Sequence, residues 1–133
     1  METGISLCMV VKNEAEYLED CLKHISPWVR ELIVVDTGSS DDTPAIAERC
    51  GARVFSFPWN NDFSAARNFS LRQANEPWIL VLDADERLAL REAEKLSSLV
   101  RFASAPAAFS FLQRNYLNGS GQLTWDQSWQ ANT

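Results

Sequence analysis

Asp83 and Asp85 stand two residues apart, directly after the apolar run 78–82. In an extended segment such residues point the same way, so two hard carboxylate oxygens face one space. That suits Mg2+ or Mn2+, which takes one or two protein carboxylates and fills its shell with water and substrate phosphates. Clustered carboxylates at the edge of a buried strand are costly unless something pairs with them. A cation would offset the repulsion and hold an anionic diphosphate. The plainer reading is a pair of loop acids capping the next helix, and D-x-D triplets are common by chance.

Asp36 ends a second apolar run, 32–35, too far along the chain for one loop to explain both. A carboxylate there can accept a hydrogen bond from a base N–H or a ribose hydroxyl, as acids do in other nucleotide crevices. Duty at a helix N-terminus is better filled by Asp41 and Asp42. Arg67 is a candidate phosphate clamp, because guanidinium forks match phosphate oxygens. On its residues alone a solvated helix face is the favoured reading. His24 is the only histidine, so a Ser-His-Asp or Cys-His nucleophile has little support. Trp59, Trp78, Trp125 and Trp129 could stack on a sugar, but packing is the default for tryptophan.

These residues need elements to bring them together. Residues 5–11 (ISLCMVV) read as a buried strand, and Asn13 with Glu16 as the capping box of a helix. That helix carries Tyr17, Leu18, Cys21, Leu22 and Ile25 on one face. A second strand covers 32–35. Thr43 as cap and Pro44 as first helical residue open a short helix that Gly51 closes. A third strand covers 53–57, a helix 62–74, a fourth strand 78–82, a helix 92–102 and a fifth strand 107–112. Alternating strands and helices mean a mostly parallel sheet with helices on both faces, an α/β Rossmann-like architecture. Ligands bind beyond the carboxyl ends of such strands, where strand order reverses. With the order 3-2-1-4, Lys12-Asn13-Glu14, Asp36 and Asp83-Ala84-Asp85 line one crevice.

The chain has 133 residues, 46% of them hydrophobic and 23% charged, enough for one domain with one core. A net charge of −6 weighs against nucleic acid or an anionic membrane as a general partner. Peripheral attachment to a membrane is compatible with these figures. No apolar run approaches the roughly 20 residues that span a bilayer, and no signal peptide is legible at the start. Cys8, Cys21 and Cys50 form no CxxC pair and read as small thiols in a reducing cytoplasm.

Four ordered blocks carry a resemblance: "ISLCMVVKNEAEYLEDCL", "ELIVVDTGSSDDTPAIAERCGARVF", "WNNDFSAARNFSL" and "WILVLDADE". Together they resemble the family 2 glycosyltransferases of GT-A fold, especially lipopolysaccharide-core β-glucosyltransferases and related bacterial enzymes with "VKNE", "VDTGS" and "ARN". The match runs from Ile5 to about Leu88. It implies transfer of a sugar from a nucleoside diphosphate, usually UDP, to an acceptor hydroxyl of a glycan, lipid or protein. It also implies Mn2+ or Mg2+ as cofactor, and work in the cytoplasm at or near the inner membrane face. Val11, Asn13 and Glu14 fall where the family's first-strand loop meets the nucleoside. Asp36 matches the acid that recognises the base, and Arg67 the arginine near the diphosphate. Asp83 matches the first residue of the D-x-D motif, near ribose and metal, and Asp85 the principal metal ligand.

Two departures qualify the match. Thr37 stands where many members carry a second acid, although the "VDTGS" subgroup shares it. Family members also usually run to well over twice this length, and inverting members carry their general base on a later segment. After Phe102 the only acid here is Asp126, which no motif marks as that base. The expectation is the donor-binding front part, 1–133, of one GT-A domain, which binds the donor and transfers poorly by itself. A non-catalytic nucleotide-sugar-binding module is the alternative. A sugar-phosphate nucleotidyltransferase would want a glycine-rich loop after the first strand. A receiver domain would want an acid after the third, where Phe57-Pro58 stand.

Overall fold

The computed structural model describes residues 4–102, 114–116 and 123–125. The chain divides into two compact units, Met1–Arg101 and Phe102–Thr133. In the first, β1 (Ile5–Val11), α1 (Leu18–Ile25), β2 (Glu31–Asp36), α2 (Thr43–Arg49), β3 (Arg53–Ser56), α3 (Phe63–Arg72) and β4 (Trp78–Val81) alternate, and α4 (Leu90–Phe102) follows. All strand pairs of this unit are parallel, in the order β3-β2-β1-β4. In the second, β5 (Arg114–Tyr116) and β6 (Leu123–Trp125) pair antiparallel. The strand expected over 107–112 lies outside the described residues.

β1 is central, and its residues are apolar on both faces of the pleat. Cys8 shares one face with Ile33 and Val35, and Phe55, Phe57, Phe69 and Leu71 pack against them. Leu7 and Met9 point to the other face beside their register partners Leu32 and Val34; all four are buried. α3 packs on the first face through Phe69 and Leu71, and α1 packs against α2, which the usual right-handed crossover places on the other face. α1 buries Leu18, Cys21, Leu22 and Ile25, spaced i, i+3, i+4, i+7 as one helical stripe requires. Each large aliphatic side chain buried there contributes about 1.5–3 kcal/mol.

Register decides what meets at the sheet's carboxyl edge. Val11 pairs with Asp36, and Cys8 pairs with Val81. Asp83, two residues past Val81, therefore comes up beside the end of β1. The order observed is the one under which Lys12–Glu14, Asp36 and Asp83–Asp85 share one edge, with the reversal point between β1 and β4.

Two helix starts differ from expectation. Asn13 does not cap α1, which begins at Leu18 after Tyr17, with no side-chain cap. Asn13 has a left-handed φ of 54°, and its side chain is committed to Ser40 instead. A turn fills the gap, in which Glu14 O accepts from Tyr17 N at 3.1 Å and Leu18 N at 3.0 Å. Tyr17 is accordingly exposed. Thr43 is the first residue of α2 and not its cap, because its hydroxyl bonds outside the helix. Gly51, with φ of 88°, ends α2 as expected.

Candidate functional site

At the β1–β2 corner, two loops satisfy each other's polar groups. Asp36 is buried. Its Oδ2 accepts from the backbone N–H of Gly38 at 3.1 Å and Ser39 at 3.0 Å, and its Oδ1 from the Ser39 hydroxyl. This fold of the loop on its own acid needs φ of 122° at Gly38, which glycine adopts without strain. Asn13 N donates to Ser39 Oγ at 2.8 Å, and Asn13 Oδ1 accepts from Ser40 N at 2.8 Å. Glu14 N donates to Thr43 Oγ1 at 2.9 Å. Val11 enters by its carbonyl, which accepts from Thr37 N at 3.0 Å and Thr37 Oγ1 at 3.2 Å.

The segment after β4 is built differently. Asp83 N donates to Glu86 Oε1 at 2.8 Å, and Glu86 N donates back to Asp83 O at 2.9 Å. The Glu86 side chain reaches back to the Asp83 N–H as in half of a capping box, while the backbone bond between the same residues closes a tight turn. Ala84 is buried between two exposed acids, Asp83 and Asp85, so the carboxylates face outward. Arg67 reaches them from α3. Its Nη2 stands 3.5 Å from Asp83 Oδ1, and its Nη1 donates to Cys8 O at 3.5 Å. Its guanidinium carbon lies 5.2 Å from the centre of the Phe63 ring, a cation–π contact. Arg67 is thus a half-buried arginine at the rim, and the solvated-face reading of the sequence does not hold.

Charge links the two corners. Burial pushes the Glu14 carboxyl up from its ordinary pKa, and Asp85, Asp83 and Asp41 raise it further by repulsion. Asp41 moves the other way, lowered chiefly by the hydroxyl of Thr43, with the backbone N–H groups of Thr43 and Ala15 adding to it. Acceptors that collect hydrogen bonds in their charged form behave so. Cys8 and Cys21 are both pushed to about 11, mainly by burial, so neither is a nucleophile near neutral pH.

The donor set fits a hard divalent cation in one particular way. Among the described residues no three His, Cys, Asp or Glu side chains form a ready cage. Two exposed carboxylates, with a third feeling their charge, leave coordination positions for water and phosphate oxygens, as Mg2+ and Mn2+ prefer. Sequence reasoning missed Ser39, the bonds of Thr43 beyond the capping role it was given, and Arg87. The first two sit in "TGSSDDT", whose composition announces a turn but not its partners. Arg87 is only a basic residue after "DADE" until the fold brings α1 beside it.

The family model described as "Glycosyl transferase family 2" matches residues 6–132, well past Leu88, where the motifs legible in the sequence run out. A TPR repeat-containing protein of Synechococcus elongatus is 45% identical over 123 residues, 92% of this chain and 30% of that protein. The lipopolysaccharide core biosynthesis glycosyltransferase LpsC of Rhizobium meliloti is 30% identical over 122 residues, 88% of this chain and 44% of LpsC. Among solved structures, glucosyl-3-phosphoglycerate synthase from Mycobacterium tuberculosis, in complex with Mn2+, UDP and glucosyl-3-phosphoglycerate, is similar. It superposes with a TM-score of 0.56 at 34% identity, over 63% of this chain and 34% of the synthase. The chain therefore spans between about a third and a half of the length of these relatives.

Proposed function

The chain belongs to glycosyl transferase family 2, and from that premise we propose that it binds the donor, a nucleoside diphosphate sugar. UDP is the expected nucleotide, in line with the UDP held by the mycobacterial synthase. Asp36 recognises the base: a carboxylate has about four acceptor sites, and the loop does not use all of them. Val11, Asn13 and Glu14 form the wall against the nucleoside. Asp85, assisted by Asp83, holds Mn2+ or Mg2+. When bound, that cation neutralises charge on the departing diphosphate. Arg67 does the same from α3, and its bond to Cys8 O and its stack on Phe63 hold the guanidinium in place before substrate arrives.

In the whole protein this reading extends to sugar transfer onto an acceptor hydroxyl, with inversion. The setting is bacterial cell-surface glycan or lipopolysaccharide synthesis at the cytoplasmic side of the membrane. Among the described residues no helix is long and apolar enough to cross a membrane. Residues 1–133 form the donor-binding portion of one GT-A domain in this reading. Asp126 lies outside the described residues, and the base that deprotonates the acceptor is not assigned.

One observation carries the proposal. Arg67, Glu14 and the Asp83–Asp85 pair come from three separate segments, and their charges interact at the point where strand order reverses. Thermal unfolding with a nucleotide panel tests it, since a ligand that binds only the folded state stabilises it by RT ln(1 + [L]/Kd). UDP and UDP-sugars should raise Tm in Mn2+, and UMP should raise it less. Equal effects of UMP and UDP would remove the diphosphate from the account.

A further inference from the structure

α1 turns one stripe of polar groups toward the segment that follows β4. Arg87 is its main partner, and every nitrogen of the guanidinium is used. Nε stands 2.8 Å from Asp20 Oδ2, and Nη2 donates to Tyr17 O at 3.0 Å. Nη1 donates to Ala84 O at 2.7 Å and Glu86 O at 2.8 Å. Cys21 Sγ lies 3.4 Å from Glu86 O, and His24 Nε2 lies 2.8 Å from Leu88 O. Tyr17, Asp20, Cys21 and His24 follow the i, i+3, i+4, i+7 spacing of one helix face.

The contacts are unequal. Asp20 is 81% exposed, and an ion pair in water contributes little. The carbonyl bonds matter more, because a charged donor strengthens each of them. Two fall on Ala84 and Glu86, which flank Asp85 on either side, and the third falls on Tyr17, just before α1. Inside the turn Asp83 and Glu86 bond to each other, and Arg67 and Cys21 reach it from outside, but Asp83 and Asp85 are exposed and repel one another. Left unpinned, that repulsion would splay the turn.

We propose that Arg87 is a positioning residue, which ties the Asp83–Asp85 carboxylates to α1 and so holds them ready for the divalent cation. The inference rests on the reading of those carboxylates as the metal ligands. Arg87 touches neither the cation nor the β1–β2 corner, so its loss should spare whatever nucleotide binding needs no metal.

Mn2+ uptake by the full chain, followed by electron paramagnetic resonance in the presence of UDP, tests this on Arg87→Ala, Arg87→Lys and Asp20→Asn. Removing a group that orients a ligand typically weakens metal affinity at least about tenfold, the loss expected for Arg87→Ala. Arg87→Lys keeps the charge without the fork and should fall between wild type and alanine; it carries the test if Arg87→Ala does not fold. Asp20→Asn should cost less than about threefold. UDP affinity in EDTA should be unchanged in all three. Wild-type uptake by the Arg87 variants would overturn the proposal, as would equal losses with and without metal. A wild-type chain that shows no UDP-linked Mn2+ uptake would overturn the metal-site reading itself, before any variant is compared.

Discussion

The β1–β2 corner and the β4 turn are both acidic and sit at the same edge of one sheet, yet they are held in opposite ways. At the first, Asp36 and Asp41 are surrounded by donors: backbone N–H groups, the Ser39 hydroxyl and the Thr43 hydroxyl. At the second, Asp83 has Arg67 at 3.5 Å and is still 57% exposed, and Asp85 adds its repulsion to Glu14. At the first corner the chain itself supplies most of the hydrogen bonds its acids can accept. The other is left with surplus negative charge facing outward, as a site for a cation and its phosphates requires. In the proposed reading acidity alone does not mark the metal site; what marks it is acidity that the fold leaves unneutralised.

The sharpest way to break this contrast is Asp85→Asn, which keeps shape and removes charge. Metal-dependent UDP affinity should fall on the order of 100-fold, about 2.7 kcal/mol, with little change in EDTA, as calorimetry would read. Asp36→Ala acts on the first corner instead. It strips the acceptor from two backbone N–H groups, and urea unfolding should show a loss of about 2 kcal/mol, independent of metal. Arg67→Lys keeps a charge but loses the fork. Its expected cost is about tenfold in UDP affinity, ~1.4 kcal/mol, and none for uridine. If uridine suffers equally, Arg67 does not act on the diphosphate.

The smallest effect belongs to Glu14→Gln. The Glu14 pKa is raised in the fold, so the folded chain holds that proton more tightly than the unfolded one. Stability from it is full below the ordinary glutamate pKa and declines as pH rises through the raised value. Glutamine removes the decline. Without metal the variant should melt slightly higher than wild type at neutral pH, by ~0.5 kcal/mol or less given the exposure. At low pH, or with Mn2+ and UDP bound, the gain should vanish. A gain that persists at low pH would mean packing, not charge.

Much of this was legible before any coordinates. Uninterrupted apolar runs announced parallel strands, which are buried in β1 and β2, whereas Ile79 and Val81 of the outer strand β4 are exposed among the described residues, against the expectation of a buried strand. Residue type and position mark Asp36, Asp83 and Asp85 as candidates, and the resemblance adds Arg67; the roles given to them here are proposals. Helix starts were less legible. Asn13 fits the capping pattern, but a left-handed backbone and the Ser40 bonds claim it, and those depend on a loop 27 residues away. Arg87 was illegible for the same reason: its partner Asp20 lies 67 residues back, and no local pattern encodes such a contact. Sequence shows which groups a site offers, whereas the bonds that aim them come from tertiary contacts.

The central claim is that the outward-facing acids after β4 receive a divalent cation together with a diphosphate. Anomalous scattering at the manganese edge, from crystals soaked with Mn2+ and UDP, measures that position directly. The account predicts a single strong peak within direct bonding distance of the Asp85 carboxylate and of a UDP phosphate oxygen. UDP bound with no peak there, or with the manganese held elsewhere on the chain, would contradict it.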